Sequence, residues 1–231
     1  MAGVAKFVAS SLAPAAQRLA PHAASGMLRQ VLDIAIDGYR GFPGAEAVAK
    51  RYQDKFPDDP RKAIDAIMDQ HIRLAGAQGF LTSVGGLVTL AFTLPANMTG
   101  LAVVQARMVA SIAAVRGYDL SDPRVRTAVI TCMLGEDGVG DRLKKSSLPT
   151  SPLAIATAPV FDPELDKHVS REVAAELVAR VSGKQMALTM ARRVPFLGGA
   201  VGAGVDGWST YKIGQYADTM LIRRIPRPIE P

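Results

Sequence analysis

The side chains best suited to acid–base or metal chemistry are few and widely separated in this chain. It contains three histidines and one cysteine, at His22, His71, His168 and Cys132. A zinc site needs several such ligands close together, and no histidine, cysteine or carboxylate stands three or four residues from His71 on the same helical face. The pattern therefore predicts no metal site. It indicates instead that His71 is a partly buried histidine with a hydrogen-bonded ring.

The sequence does not indicate a catalytic site either. Ser83 or Ser111 could be combined with His71 and an aspartate, but the chain has no G-x-S-x-G motif between a strand and a helix. The glycine-rich run GGAVGAG lacks the Gly-Lys-Ser/Thr ending of a phosphate-binding loop. Cys132 stands in an apolar stretch, where a thiol behaves as a small hydrophobe. We predict no catalytic residue and no cofactor, and we keep an unrecognised hydrolase as an alternative.

The composition favours a protein that works at an anionic surface. Of the 231 residues 48% are apolar and 21% are charged, with a net charge of +6, and the mean hydropathy is +0.15. A charged fraction this high argues against a polytopic membrane protein. Nucleic-acid binding would need basic residues clustered with aromatic side chains, and the sequence has no such cluster. A membrane surface is therefore the favoured partner, and the single cysteine is typical of a reducing cytoplasm.

The elements that would position any site are predicted to be helices. Three Asp-Pro steps, Asp59-Pro60, Asp122-Pro123 and Asp162-Pro163, combine an N-cap acceptor with a proline that suits the first helical position. No run of alternating polar and β-branched residues predicts a sheet. We expect an all-α protein.

The chain is predicted to form a single helical domain with short extensions. The domain covers residues 25–222, between a loose or amphipathic N-terminal arm at 1–24 and a basic, proline-rich tail at 223–231. Residues 137–163 contain many turn-forming residues, and we expect them to form a surface connection.

The centre of the domain is predicted to be an apolar helical hairpin. Residues 74–106 carry no formal charge. A bilayer crossing needs about 20 apolar residues in a helix, and Gly85, Gly86 and Pro95 interrupt this stretch. We predict a hairpin over residues 80–116 with its turn after Pro95, either covered by amphipathic helices or dipping into lipid.

A second apolar segment, residues 194–205, is rich in glycine. Small residues at an interval of four let two helix backbones approach closely. Three pairs have this spacing here: Gly198 and Gly202, Gly199 and Ala203, and Ala200 and Gly204. A helical glycine costs about 1 kcal/mol relative to alanine, so these positions need compensating contacts. The residues predicted to mediate close helix packing or membrane contact are Gly85, Gly86, Pro95, Gly198, Gly199, Gly202 and Gly204.

Two charged residues stand within these apolar elements. A buried carboxylate is costly unless it is paired, and Arg107 of the hairpin is the natural partner of Asp206. We therefore predict an ion pair between Arg107 and Asp206, and the alternative is that Asp206 marks where the chain reaches water. Trp208 and Tyr211 follow Asp206. A core position is favoured for these two rings, and anchoring at a membrane interface is the alternative.

Four blocks of the sequence carry a family resemblance. They are LDIAIDGYRGFPGAEAVAKRY, DPRKAIDAIMDQHIRLAGAQGF, GGLVTLAFTLPANMTGLAVVQARMVASIAAVRGYDLSDPRVRT and VPFLGGAVGAGVDGWSTYKIGQYA. In their order and spacing over about residues 25–222 they resemble the EcsC family of bacterial proteins. The resemblance implies an all-helical protein linked to membranes, and the family's namesake is encoded beside components of an ABC transporter. The family usually has an aspartate where this chain has Asn97, and the resemblance assigns no catalytic residue.

Taken together, the residues and the resemblance predict a non-enzymatic, cytoplasmic protein at the inner face of a bacterial membrane. Its partners would be membrane lipid and a membrane protein complex, for which it would serve as a transporter- or stress-linked adaptor. Nucleic acid is not an expected partner. The alternative binding function is that of a helical domain enclosing a lipid or another apolar ligand in an internal cavity.

Overall fold

The computed structural model describes residue 26 and residues 28–39, 41–84, 90–191 and 197–222. Side chains are described in these ranges except at residues 79–99, 178 and 181–202. The arm and the tail predicted for residues 1–24 and 223–231 lie outside the described residues.

The described residues form nine helices and no strand. The helices are α1 (28–37), α2 (Ala45–Lys55), α3 (Pro60–Val84), α4 (Leu90–Val115), α5 (Pro123–Cys132), α6 (Gly135–Lys144), α7 (Pro152–Ala156), α8 (Pro163–Ala191) and α9 (Leu197–Met220). Outside them, an isolated antiparallel bridge joins Tyr39 and Phe42. The prediction of an all-α domain is confirmed.

The three Asp-Pro steps begin helices, as predicted. The Asp122 carboxylate accepts a hydrogen bond from the backbone N–H of Arg124 at 2.9 Å. Asp162 accepts from the backbone N–H of Glu164 at 2.9 Å, and Asp59 accepts from that of Lys62 at 3.0 Å. Each carboxylate thus satisfies an amide that the first helical turn leaves free, which fixes the starts of α3, α5 and α8.

Helices α3, α4 and α9 form the centre of the domain, and α3 and α9 share the most extensive contact. These two helices are antiparallel. Gly76 lies against the backbone of Ala203, and Gly207 lies against Ile72. At the far end, the Asp218 carboxylate of α9 accepts hydrogen bonds from Arg61 and Arg116, so it joins the start of α3 to the end of α4.

The apolar hairpin consists of α3 and α4, and its turn is not where the sequence predicted it. Helix α4 runs without a break from Leu90 through Pro95 to Val115, so the segment PANMTG is helical rather than a turn. Proline removes one helical hydrogen bond and can bend a helix without ending it. The connection between the two helices falls in residues 85–89, outside the described residues.

The surface connection predicted for residues 137–163 is also more ordered than expected. It contains most of α6 and the whole of α7, and Leu148, Ile155 and Ala156 within it are buried. The hydroxyl of Ser151 accepts from the backbone N–H of Ala154 and caps α7. The turn-forming residues here are therefore helix caps, which anchor the segment against α5.

Candidate functional site

A closed polar cluster lies where α3 and α4 face the loop between α1 and α2. Arg107 of α4 is 2% exposed. Its Nε donates to Nε2 of His71 at 3.1 Å, and its Nη1 donates to the backbone oxygen of Pro43 at 3.2 Å. The guanidinium carbon lies 3.7 Å from the centre of the Phe42 ring, which is a cation–π contact. We call Arg107, His71, Phe42 and Pro43 the Arg107 cluster.

The hydrogen bonds of this cluster define the protonation state of His71. Its Nδ1 lies 2.7 Å from the backbone oxygen of Ile67. Because a carbonyl can only accept, Nδ1 carries the ring proton and Nε2 accepts from Arg107. Burial, assisted by the positive charge of Arg107, lowers the pKa of the His71 ring to about 4. The sequence-based interpretation of a hydrogen-bonded, buried histidine is confirmed, and the ring is fully rather than partly buried.

The predicted ion pair between Arg107 and Asp206 is not among the described contacts of Arg107. Both residues are buried, so Asp206 does not mark where the chain reaches water. The described contacts of Arg107, however, are with neutral groups of His71, Pro43 and Phe42. Burial lowers the pKa of the Arg107 guanidinium to about 10, which leaves it charged at neutral pH. Nothing in the sequence signals that the loop before α2 returns to α4, so Phe42 and Pro43 were missed.

Helix α9 exposes an apolar and aromatic face in its middle. Val205, Trp208 and Tyr211 are 49%, 61% and 40% exposed, respectively. The two rings are stacked, with their centres 5.5 Å apart. The opposite face, which includes Asp206 and Thr210, is buried against α3 and α4. A core position for Trp208 and Tyr211 is therefore wrong, because α9 is apolar on both faces and only one of them is covered.

The glycines of α9 differ from one another in how closely the neighbouring helices approach them. Gly204 is exposed, and a Cβ added to it would meet nothing within 4 Å, so the structure shows no close packing there, and the alternative of a membrane contact is untested. The close approach is made by neighbours of the predicted set: a Cβ on Gly207 would lie 3.8 Å from Ile72, and one on Gly214 only 2.9 Å from Met68. The other predicted positions remain untested. Pro95, Gly198, Gly199 and Gly202 lie in helices whose side-chain surroundings are not described there, and Gly85 and Gly86 lie outside the described residues.

An open groove of about 570 Å³ lies between α6, α8 and α9. Trp208 and Tyr211 line it on the α9 side, and Ile213, Tyr216 and Met220 are among its apolar residues. Its charged lining residues are Glu136, Asp137, Asp141, Arg142, Glu176, Arg180 and Lys212. We call this the α6–α9 groove. No sequence motif predicted this groove, and its one local signal is the acidic start of α6, GEDGVGD.

A comparison with family models identifies the chain. The model of the EcsC protein family matches residues 58–225. The chain belongs to the EcsC protein family. The match begins after the first of the four sequence blocks and includes α3 to α9. No curated protein and no solved structure matches the chain.

Side chains that could do chemistry in the interior of this EcsC protein are engaged in its structure. The Ser111 hydroxyl donates to the backbone oxygen of Ala45 at 3.2 Å. Burial raises the pKa of the Cys132 thiol, which removes its nucleophilic form. Both ring nitrogens of His71 are bonded. None of these three groups is available as a nucleophile or a base.

No helix among the described residues combines the length and the apolar character that a membrane span requires.

Proposed function

We propose that this EcsC protein is a non-enzymatic protein that associates peripherally with the cytoplasmic face of a bacterial membrane. The exposed middle of α9, with Val205, Trp208 and Tyr211, makes the contact. The observation that carries the proposal is the exposure of these three side chains, because a large apolar and aromatic surface on one helix is typical of an interaction site.

The position of this face in the fold supports a lipid partner. Gly76 of α3 lies against Ala203, and Ile72 lies against Gly207. The exposed Leu74 is therefore level with Val205 along the two helices. Both residues lie near the middle of the antiparallel α3–α9 pair, and stacked amphipathic rings suit the depth of lipid headgroups.

The charge pattern of the sequence supports an anionic membrane. The whole chain has a net charge of +6. Residues 181–205 contain Lys184, Arg192 and Arg193 and no acidic residue. Each basic residue near an anionic membrane surface contributes about 1 kcal/mol, so a positively charged chain favours such a surface over a neutral one.

Sedimentation with vesicles of phosphatidylglycerol and phosphatidylethanolamine tests this proposal. Trp208 is the only tryptophan, so its emission reports on this face alone. We expect the protein to sediment with the vesicles at low salt and the Trp208 emission to shift to shorter wavelength as the ring leaves water. Protein that stays wholly in the supernatant at low salt contradicts the proposal.

A matched pair of variants distinguishes binding through this face from non-specific binding to vesicles. Val205→Asp places a charge in the contact and should weaken vesicle binding about tenfold, equivalent to about 1.4 kcal/mol. Val160→Asp makes the same change at a residue that is 75% exposed in the connection between α7 and α8, and it should bind like the wild type. Equal losses in both variants would contradict the assignment of the contact to α9.

The adaptor role is part of the same proposal, because a non-enzymatic protein acts through what it binds. The α6–α9 groove is lined by many charged residues, which does not favour the alternative of an enclosed apolar ligand. Native mass spectrometry of the freshly purified protein distinguishes the two, since a bound lipid would add a discrete mass to the chain.

A further inference from the structure

The α6–α9 groove is lined by acidic and basic side chains, but its basic side chains already form ion pairs within the protein. Arg142 bonds the carboxylates of Glu172 at 2.8 Å and Glu176 at 3.1 Å. Arg180 bonds Glu176 at 2.9 Å and also donates to the backbone oxygens of Met133 and Leu134. These contacts fix both guanidinium groups in the wall between α6 and α8.

The third basic side chain of the groove is engaged as well. Lys212 of α9 pairs with Asp137 of α6 at 2.9 Å. Glu136 and Asp141, also on α6, are exposed and have no ion pair among the described contacts. The groove therefore presents two carboxylates that have no ion pair with a described cation.

The aromatic rings of Trp208 and Tyr211, which line the groove, also favour a cation. The negative face of an aromatic ring attracts a cation, and in the Arg107 cluster the Phe42 ring is covered by Arg107. No cation of the described residues lies over Trp208 or Tyr211, although both rings are exposed. Unpaired carboxylates and uncovered rings thus line the same groove, and both favour a positively charged ligand.

We propose that the α6–α9 groove binds an arginine-rich, extended peptide segment of an integral membrane protein. A planar guanidinium can stack on the Trp208–Tyr211 pair and bond Glu136 or Asp141, whereas a lysine ammonium cannot stack in this way. The groove volume of about 570 Å³ accommodates a few side chains rather than a folded domain.

The identity of the partner rests on the proposed membrane function. Trp208 and Tyr211 line the groove and belong to the membrane-contact face, so the groove opens beside the lipid surface. The cytoplasmic loops of integral membrane proteins carry an excess of lysine and arginine close to that surface. Such a loop has both the charge and the position that the groove requires.

The binding of synthetic peptides in the absence of lipid tests the groove separately from the membrane contact. The probe is a capped peptide with Arg-Leu-Gly repeated three times, and the matched peptides carry Lys or Glu in place of Arg. Since none of them contains tryptophan, a change in emission comes from Trp208. We expect saturable binding of the arginine peptide that weakens with salt, weaker binding of the lysine peptide, and none of the glutamate peptide.

The double variant Glu136→Gln/Asp141→Asn should bind the arginine peptide about tenfold more weakly, because two exposed charge contacts are lost. The matched control is Asp58→Asn/Asp69→Asn, which changes the net charge equally at two exposed residues outside the groove. It should bind like the wild type. Thermal unfolding of both variants verifies that they are folded.

Three outcomes overturn the proposal. They are equal affinity for the arginine and glutamate peptides, equal losses in the two double variants, and full competition by equimolar spermidine, which would assign the groove to small polyamines. Because lipid is absent, none of these results depends on vesicle binding. A protein that binds vesicles but not the arginine peptide keeps the proposed function and loses this inference.

Discussion

The Arg107 cluster and the α6–α9 groove both combine charged groups with aromatic rings, but one is closed and the other is open. In the cluster, a cation of the chain covers a ring and donates to neutral acceptors. In the groove, the rings of Trp208 and Tyr211 are exposed, and two carboxylates on the facing helix have no ion pair among the described contacts.

The difference indicates which region stabilises the fold and which is available to a partner. Arg107 joins the loop before α2 to the central hairpin, and its burial leaves no room for a ligand. At the groove, ion pairs of Arg142 join α6 to α8. The carboxylates of Glu136 and Asp141 and the rings of Trp208 and Tyr211 stay in contact with solvent. If this distinction is right, changes in the cluster alter stability, and changes in the groove alter binding.

Removal of Arg107 should have the largest effect on stability. Arg107→Ala leaves a cavity and deprives His71 Nε2 and the Pro43 oxygen of their donor, so we expect a loss of about 3 kcal/mol in the free energy of unfolding. Urea denaturation measures it. Arg73→Ala, at an exposed residue of α3, should change stability by less than about 0.5 kcal/mol. Similar values for the two variants would mean that the cluster is not a stabilising element.

Acidification should weaken the same cluster through His71. The ring has a pKa of about 4 in the folded protein and an ordinary value of 6.5. The unfolded state therefore binds more protons between these values, and stability is lost as the pH falls through this window. From about pH 7.5 to about pH 5 we expect a loss of about 2 kcal/mol from this residue.

His71→Gln is the variant that isolates this effect. An amide oxygen can accept from Arg107 but does not take up a proton in this range, so the variant should be less stable at neutral pH and show a smaller decline on acidification. Urea denaturation at both pH values compares the two proteins. A decline of the same size in His71→Gln would assign the pH dependence to other groups.

Local patterns predicted the helices of this protein well. Asp59, Asp122 and Asp162 each cap a helix because the signal lies within a few residues of the helix start. The helical class followed from periodicity, whereas the glycines of α9 that closely approach α3 are Gly207 and Gly214 rather than the predicted Gly204. The helix starts and the helical class depend on neighbours along the chain or on the general need to cover an apolar surface.

The sites depend on contacts that no local pattern encodes. Arg107 was expected to meet Asp206 because both stand in apolar helices, but the acceptor came from the loop at Pro43. A core position was favoured for Trp208, but only the packing of α3 and α4 decides which face of α9 stays exposed. The groove combines α6, α8 and α9, so its charge balance appears only once these helices are placed together.

The smallest effect that we predict concerns Lys212, and its sign tests the character of the groove. The Lys212–Asp137 pair is exposed, so Lys212→Gln should change stability by less than about 0.5 kcal/mol. It frees the Asp137 carboxylate and should strengthen binding of the arginine peptide about twofold to threefold. Lys62→Gln removes the lysine of another exposed pair, with Asp59, and should leave the affinity unchanged. Weaker binding by Lys212→Gln would mean that Lys212 itself contacts the ligand, and an anionic ligand would then fit the groove better than a cationic one.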